Sequence, residues 1–285
     1  MNIVFFGEDS FSAEVLERLI LSEHNLLMVF TPMYNNNLHA RLEFICKKNK
    51  IKFLRVNNIN SVKTQEEIRV LSPDLIVVTH FEKVLKKNII DIPKLGCINL
   101  HPSLLPNYRG LSPQHWPIIK GDEYTGITVH FINEGIDTGD IIIQKKIKID
   151  KDDFVSDLQM KMKKEYGKII VNAIEIIEKK NILAIVQKSL TGSYYGRLTE
   201  NDCKIDINGK ALDAYNLIRG VSFPYMGAIY KNFRIWKAKL ASKIIYEKAL
   251  RNSQENGIYY DSEIGNYIKF ADGLLILEKF TDYEG

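Results

Sequence analysis

The sequence has few cysteines and no long run of hydrophobic residues. Its three cysteines, Cys46, Cys97 and Cys203, are an odd number at wide spacing, which is typical neither of a disulfide framework nor of a zinc site. No apolar stretch approaches the roughly 20 residues that a membrane-spanning helix needs. The N-terminus lacks the basic start and small-residue cleavage site of a signal peptide. We therefore expect a soluble, cytoplasmic protein in a reducing compartment.

An excess of charge of one sign is also lacking. The 285 residues include 39 lysines and arginines against 35 acidic residues, a formal net charge of +4. The basic residues are spread along the whole chain, whereas a nucleic-acid surface would concentrate them on one element. Hydrophobic residues make up 45% of the chain and charged residues 26%. This is the composition of a globular protein that is long enough for a sizeable core.

The first part of the chain alternates between strand-like and helix-like segments. Short apolar runs such as NIVFF, LLMVFT, LIVVTH and GCINLH are typical of buried strands. Amphipathic segments such as AEVLERLI lie between them, and Ser10 or Ser12 is expected to cap the first helix. This alternation predicts an α/β fold, with a Rossmann-like domain over residues 1–187 and a mostly parallel sheet that is covered on both faces.

The C-terminal third has a different pattern. A long amphipathic helix, predicted from Asp152 or Asp153 to about Lys180, completes the first domain. The polar, glycine-containing segment KSLTGSYYGRLTENDCK is typical of a linker. Beyond it, ALDAYNLIRG is helix-like, and AIYKNFRIWKAKL and YIKFADGLLILEKF resemble strands around tight turns. We therefore predict a small β-rich domain over residues 188–285.

A polar pair ends the apolar strand GCINLH. Asn99 and His101 are two residues apart, so their side chains project to the same side of a strand. Ligands of open α/β sheets bind at the carboxyl ends of the strands. Asp137 lies further on in the loop GIDTGD, between Gly135 and Gly139. An amide that holds an oxyanion, with an imidazole and a carboxylate that handle the proton, suits acyl transfer to an amine.

Each of these residues also has an ordinary structural interpretation. Asn99 could be a strand-end hydrogen bonder, His101 a satisfied polar residue and Asp137 a turn residue. A metal site is another option, but the spacing of His101, His115 and His130 fits no metal motif. The segment GEDSFS lacks the second and third glycines of the dinucleotide fingerprint, so the sequence does not favour a cofactor of that type.

Two blocks of the sequence, GCINLHPSLLPNYRGLSP and TGITVHFINEGIDTGDII, resemble the folate-dependent formyltransferase family. The opening MNIVFFGEDSFSAEVLERL resembles the first βα unit of that family. The segments ALDAYNLIRG, FPYMGAIY and FRIWKA resemble the C-terminal domain of its tRNA- and sugar-modifying members. The resemblance implies a 10-formyl-tetrahydrofolate co-substrate and no metal. It also implies that Asn99 and protonated His101 stabilise an oxyanion and that Asp137 supports His101.

The resemblance further implies residues that bind the two substrates. Those implied for the folate are His80, Phe81, Leu104, Gly135 and Asp140. Those implied for the acceptor are Arg109, Gln114, Phe223 and Tyr225. In this interpretation Arg109 meets a diphosphate bidentately, and the two aromatic rings stack on a nucleobase. The alternatives are core packing for Phe223 and a surface position for Tyr225.

One departure from the family pattern bears on the acceptor. After VFTP the chain has the short segment MYNNNLHARLEF, which is nearly uncharged at its tip, Tyr34 to His39. The tRNA-modifying members carry a longer loop there that is rich in Arg and Lys. Without that loop, the electrostatic hold on the phosphates of tRNA is missing. The sequence therefore resembles most the nucleotide-sugar N-formyltransferases.

The expected acceptor is a nucleotide-linked amino-deoxysugar, with dTDP-4-amino-4,6-dideoxyglucose as the first candidate and lipopolysaccharide or O-antigen biosynthesis as its setting. No membrane partner is expected, and a homodimer is one assembly that the family allows. Two alternatives stay open. One is a methionyl-tRNA formyltransferase, for which a nucleic acid would be the partner. The other is a non-catalytic paralogue that binds folate or a nucleotide.

Overall fold

A computed structural model describes residues 1–33, 37–179, 183–187, 191–252 and 255–283. Three features of the sequence predictions lie outside the described residues, namely the loop tip 34–36, the helix end at residue 180 and the linker residues 188–190. The chain divides into two compact units. Unit 1 comprises Met1–Gly110, Gly126–Ile147 and Lys161–Tyr195, and unit 2 comprises Leu111–Thr125, Lys148–Met160 and Gly196–Gly285. The boundary between residues 187 and 188 stays a prediction.

The larger sheet contains the alternating strands that the sequence predicts. In chain order, the strands up to residue 195 are β1 (Asn2–Gly7), β2 (Asn25–Pro32), β3 (Lys52–Val56), β4 (Leu75–Thr79), β5 (Cys97–His101), β6 (Arg109–Gly110), β7 (Tyr124–Phe131), β8 (Ile141–Lys148) and β9 (Tyr194–Tyr195). Seven of them form one sheet in the order β3-β2-β1-β4-β5-β7-β8. The first five are mutually parallel, and β7 runs antiparallel to β5. The prediction of a mostly parallel sheet is confirmed.

The central strands are buried along their whole length. In β1 the residues from Ile3 to Phe6 have no exposed surface, and every residue of β4 is buried. A parallel strand that is covered on both faces needs apolar residues at successive positions, which explains why these runs do not alternate. The helices up to residue 178, in chain order, are α1 (Ser10–Ile20), α2 (Ala40–Lys48), α3 (Val62–Leu71), α4 (Lys87–Ile90), α5 (Trp116–Ile119) and α6 (Val155–Glu178), of which α5 belongs to unit 2.

The first helix is capped by a residue that the sequence prediction did not choose. The Oδ1 atom of Asp9 accepts hydrogen bonds from the backbone N–H groups of Phe11 and Ser12, at 2.9 and 3.0 Å. The predicted caps, Ser10 and Ser12, are therefore wrong. Asp and Ser have similar capping strength, so the sequence could not rank them. Ser12 is instead fully buried, and its hydroxyl donates to the Thr79 carbonyl at 2.8 Å.

Unit 2 has the β-rich character that the sequence predicts. Its strands are β10 (Ala228–Tyr230), β11 (Phe233–Leu240), β12 (Gly257–Asp261), β13 (Gly265–Lys269) and β14 (Leu274–Asp282). They form an antiparallel sheet in the order β10-β11-β14-β13-β12. The remaining helices are α7 (Ala211–Val221), α8 (Lys243–Asn252) and one turn of 3₁₀ helix at Asn201–Cys203, and the sequence does not predict α8. Among the residues of α8 whose side chains the structure describes, only Ala249 is fully buried, so the helix has a weak apolar signal.

The described part of the chain shows neither a membrane span nor a metal cluster. None of its helices is both long enough and apolar enough to cross a membrane. Within the same residues, no three His, Cys, Asp or Glu side chains are grouped so that they could hold a metal ion. Cys46, Cys97 and Cys203 are free thiols, and all three are buried.

Candidate active site

The candidate site is built on the carboxyl-terminal half of β5. This strand lies between β4 and β7 in the sheet, and its residues Asn99 and His101 share one face because they are two positions apart. The antiparallel register with β7 places His130 opposite Asn99 and Thr128 opposite His101. The pairing therefore adds a second histidine to the polar pair.

His101 is nearly enclosed, at 4% exposed. Its Nε2–H donates to the Tyr108 carbonyl at 2.8 Å, and its Nδ1 lies 3.5 Å from Oδ2 of Asp137. Burial lowers the pKa of His101, whereas the Asp137 carboxylate and the bond to the Tyr108 carbonyl act in the opposite direction. Because these influences oppose each other, the pKa of His101 depends on the distance between its ring and the Asp137 carboxylate.

Asp137 is held from several sides. Burial alone would raise the pKa of this carboxyl group, but attraction to His101 and the N–H of Gly110 act against burial, and the pKa lies well below its ordinary value. The Gly110 N–H donates to Oδ2 at 2.8 Å. Oδ1 lies 3.6 Å from Nε2 of His130. Asp137 is therefore an ionised carboxylate between two imidazoles at neutral pH.

His130 orients the amide of Asn99. Its Nδ1–H donates to the Phe131 carbonyl at 2.8 Å, so in the neutral ring Nε2 carries a lone pair. That nitrogen lies 3.3 Å from Nδ2 of Asn99, which can donate to it. A side-chain amide nitrogen has two hydrogens, and the second has no partner among the described residues. It remains available for the oxygen of a ligand. Sequence reasoning considered His130 only as a metal ligand, because the strand pairing was unknown.

Arg109 and Asp137 are linked by Gln187, which sequence reasoning missed. Arg109 is only 8% exposed, and its Nε and Nη2 donate to Oε1 of Gln187 at 3.3 and 3.1 Å. Nε2 of Gln187 donates to the carbonyls of Asp137 and Gly139, at 3.1 and 2.6 Å. Among the described residues, Gln187 is the only hydrogen-bond partner of the Arg109 guanidinium group. The structure therefore brings Asn99, His101, Asp137 and Arg109 together in unit 1.

The first residue predicted to bind folate, His80, follows β4 and has close partners of its own. Its Nδ1 lies 3.2 Å from Oδ2 of Asp9, and its Nε2 lies 3.3 Å from the Tyr166 hydroxyl. Its ring stacks on Phe11 at a centroid distance of 4.9 Å. A charge on His80 would also disfavour the proton on His101. His80 is therefore electrostatically coupled to the site.

The other four residues predicted to bind folate differ in their surroundings. Phe81 packs edge-to-face on Phe6 at 5.4 Å, which is an ordinary core contact. Leu104 is half-buried, Gly135 is exposed, and Asp140 accepts a backbone bond from the N–H of Phe131 through its carbonyl. Nothing in these contacts tests a role in folate binding, which stays a prediction.

Three residues predicted to bind the acceptor lie in unit 2. Nε2 of Gln159 donates to Oε1 of Gln114 at 2.9 Å and also to the Tyr225 hydroxyl. The Tyr225 ring meets His115 edge-on at 4.3 Å. Phe223 is 68% exposed, so its alternative interpretation as a core residue is wrong. Gln114 and Tyr225 thus belong to one polar network, and their contact with an acceptor stays a prediction.

The mostly parallel sheet, with Asn99, His101 and Asp137 beside one another, has the features of an acyl-transferring enzyme. Sequence comparison identifies the family. The formyl transferase family matches residues 1–174, more than half of the chain, and the chain belongs to that family. The predicted family, fold class and enzyme class are thereby confirmed.

Two curated relatives show how far the similarity extends. Methionyl-tRNA formyltransferase of Fusobacterium nucleatum is 32% identical over 284 residues, which cover 97% of this chain and 91% of the relative. The enzyme of the same name from Halothermothrix orenii is 36% identical over 248 residues, which cover 84% of this chain and 77% of the relative. Both relatives transfer a formyl group, as their names state.

A solved structure has a similar fold over the whole chain. The N-formyltransferase from Helicobacter canadensis, in complex with folinic acid and dTDP-3-aminofucose, has a TM-score of 0.76 and covers 99% of each chain. Its sequence is only 20% identical, so the likeness establishes the fold and not the substrate.

Proposed function

We propose that this formyltransferase moves the formyl group of 10-formyl-tetrahydrofolate to the amine of a nucleotide-linked amino-deoxysugar. The observation that carries the chemistry is the group formed by Asn99, His101 and Asp137, which supplies an amide N–H, an imidazole and an ionised carboxylate. Asn99 contacts His130 at 3.3 Å, and Asp137 lies 3.5 and 3.6 Å from the rings of His101 and His130. A non-catalytic paralogue would not need all three.

The residues present fit a formyl donor. One N–H of Asn99 has no partner among the described residues, and a carbonyl oxygen that gains negative charge needs such a donor. When bound, 10-formyl-tetrahydrofolate supplies a formyl carbon that an amine can attack. The enzyme from Helicobacter canadensis, which has a similar fold, was solved with folinic acid, and this supports a folate as the donor. We propose that His80, Phe81, Leu104, Gly135 and Asp140 contribute to its binding.

The three side chains then have distinct roles. The N–H of Asn99 stabilises the negative charge that develops on the formyl oxygen. His101 takes the proton that the attacking amine loses, and Asp137 stabilises the resulting imidazolium. The proton then passes to the folate nitrogen as the bond between that nitrogen and the formyl carbon breaks. Because burial lowers the pKa of His101, the carboxylate beside it is needed to keep the protonated form accessible.

The proposal of a sugar nucleotide as the acceptor rests on the charges of two parts of the chain. Only the segment 33–39 separates β2 from α2, and that segment contains no Lys, Arg, Asp or Glu. A tRNA is held mainly through its phosphates, so an uncharged connection favours a smaller acceptor. Arg109 is a buried cation that could meet a diphosphate, and we propose Gln114, Phe223 and Tyr225 as further acceptor contacts. Such a product would serve lipopolysaccharide or O-antigen biosynthesis in the cytoplasm.

Methionyl-tRNA is the second candidate acceptor. It is favoured by the sequence identity of 32% and 36% to enzymes of that name, which is higher than the 20% identity to the sugar enzyme. The two candidates differ in size and charge, so one experiment can separate them.

The test is a direct competition. The purified protein is incubated with 10-formyl-tetrahydrofolate labelled in the formyl group, charged initiator methionyl-tRNA, dTDP-4-amino-4,6-dideoxyglucose and dTDP-3-aminofucose, and the products are separated. We expect the label on a sugar nucleotide. The His101→Ala protein is the control for uncatalysed transfer. Label on the tRNA alone would refute the sugar acceptor and leave formyl transfer intact. Folate binding without transfer to any amine would favour the non-catalytic paralogue.

A further inference from the structure

We propose that Gln187 is a positioning residue for formyl transfer, and that it acts by fixing the backbone of the Asp137 loop against the buried side chain of Arg109. The proposal rests on the role of Asp137 given above, and it assigns a function to the residue just before the segment that the sequence predicts to be a linker.

Both the oxygen and the nitrogen of the Gln187 side-chain amide make hydrogen bonds. Its oxygen accepts two hydrogen bonds from the Arg109 guanidinium group, and its nitrogen donates to the carbonyls of Asp137 and Gly139. Turning the amide over would place N–H groups against the guanidinium and an oxygen against two carbonyls. Only one orientation therefore satisfies all four contacts. An amide that is fixed in this way ties a buried cation to the loop.

The backbone that Gln187 holds is an unusual one. Asp137 has φ of 53°, which lies in the left-handed region that side chains other than glycine rarely adopt. This conformation directs the carboxylate so that Oδ2 lies 3.5 Å from His101 and 2.8 Å from the Gly110 N–H. The bond from Gln187 to the Asp137 carbonyl supports that conformation. Without it the loop can relax toward commoner backbone angles and withdraw the carboxylate from His101.

The consequence is measurable on His101. The charged groups that act on its ring are the Asp137 carboxylate, which favours the proton, and His130 and His80, which disfavour it when they are charged. If the carboxylate moves away, burial and the neighbouring histidines dominate. The pKa of His101 then falls, and the protonated ring becomes harder to form during transfer.

The experiment replaces Gln187 with Met, which keeps the length of the side chain but can neither donate nor accept as the amide does. Gln187→Asn is a second variant, whose amide is one methylene shorter. The control is Val186→Ala, a change at the neighbouring residue, whose side chain is 69% exposed. Histidine rings are labelled with ¹³C and titrated by NMR, and the His101 signal is assigned with His101→Gln. This measurement needs no acceptor, so it stands even if the proposed acceptor is wrong.

We expect the His101 titration to move to lower pH in Gln187→Met, to move less in Gln187→Asn, and to stay unchanged in Val186→Ala. A wild-type titration in both Gln187 variants would overturn the proposal, whatever their thermal stability, because it would show a structural role only.

A double-mutant cycle tests the same coupling in catalysis. With the acceptor that takes the label in the competition assay, Gln187→Met is expected to lower kcat about tenfold in the wild-type background. In the Asp137→Asn background the same change should have little further effect, because the contact acts through that carboxylate. An equal factor in both backgrounds would overturn the proposal.

Discussion

Replacing Asp137 with Asn removes one charge from the site and little else. The amide keeps the size of the carboxylate, and its oxygen can still accept the N–H of Gly110, which donates to Oδ2 at 2.8 Å in the native protein. What is lost is the anion 3.5 Å from Nδ1 of His101. We expect a large fall in kcat, with much less change in the affinity for folate.

The size of the effect follows from the distance. At an effective dielectric constant of about 20, two unit charges 3.5 Å apart attract each other by roughly 5 kcal/mol. Water screens this pair little, since the side chains of His101 and Asp137 are 5% and 12% exposed. The attraction contributes fully only when His101 gains its proton, so at most roughly three to four orders of magnitude in rate depend on it. We expect a loss of two to three orders.

Single-turnover transfer with excess enzyme measures the rate, and titration with folinic acid measures donor binding. Glu134→Gln is the matched control, because it removes an exposed carboxylate from the same loop.

The pH dependence of the stability of Asp137→Asn is an independent test of the charge on Asp137. The pKa of Asp137 is depressed in the folded protein, so its charge stabilises the fold above the ordinary Asp pKa and loses that effect as the pH falls. Asp137→Asn should therefore be less stable than the wild type at pH 7 and equally stable in strong acid.

Two results would contradict this account of Asp137. Turnover within a few-fold of the wild type would show that the residue is an ordinary turn residue. Loss of folate binding, with normal turnover once the donor saturates the enzyme, would show that Asp137 holds the ligand and does not assist the proton transfer.

Four further variants test other parts of the structure. His101→Ala should fold normally and lose roughly two to four orders of magnitude in transfer rate, whereas near-native turnover would contradict its role. Asn99→Ala should lose about two to three orders in kcat through the missing oxyanion donor. Burial raises the pKa of Glu8 to about 7, so Glu8→Gln should raise the free energy of unfolding by at most roughly 3 kcal/mol above pH 7, and the gain should vanish below pH 4.5 in denaturant titrations. Gly110→Ala would place a Cβ 2.3 Å from the Tyr195 carbonyl at φ of +90°, so its melting temperature and activity should both fall.

Two general rules lead from the sequence to Asn99 and His101 as candidate site residues. Apolar runs mark the strands of a parallel sheet, and ligands bind at the carboxyl ends of those strands, so Asn99 and His101 were natural candidates. Asp137 was added from its glycine-flanked loop and from the family resemblance. The same reasoning could not find His130, because only the antiparallel register of β7 with β5 places it opposite Asn99.

Local sequence patterns do not predict the cap of the first helix or the short strand β9. Asp9, Ser10 and Ser12 are all residue types that cap helices well, so the sequence alone does not choose among them. In the structure Asp9 is the cap, and the hydroxyl of Ser12 donates to the Thr79 carbonyl. The composition of the polar segment after residue 187 predicts a linker. Yet Tyr194 and Tyr195 pair with β6 as strand β9. A two-residue strand has too little sequence signal to be recognised before its partner is known.

The geometry of β7 also explains why the Asp137 loop needs side chains to hold it. The register sets the last residue of β7, Phe131, opposite Ile98, three residues before His101 and therefore about 10 Å short of it along the strand. The connection to β8 must run back over that distance without regular secondary structure. Hydrogen bonds to Asn133 shape its beginning, while the Gly110 N–H and Gln187 hold it at Asp137. The position of the Asp137 carboxylate beside His101 therefore depends on the Gly110 N–H and on Gln187.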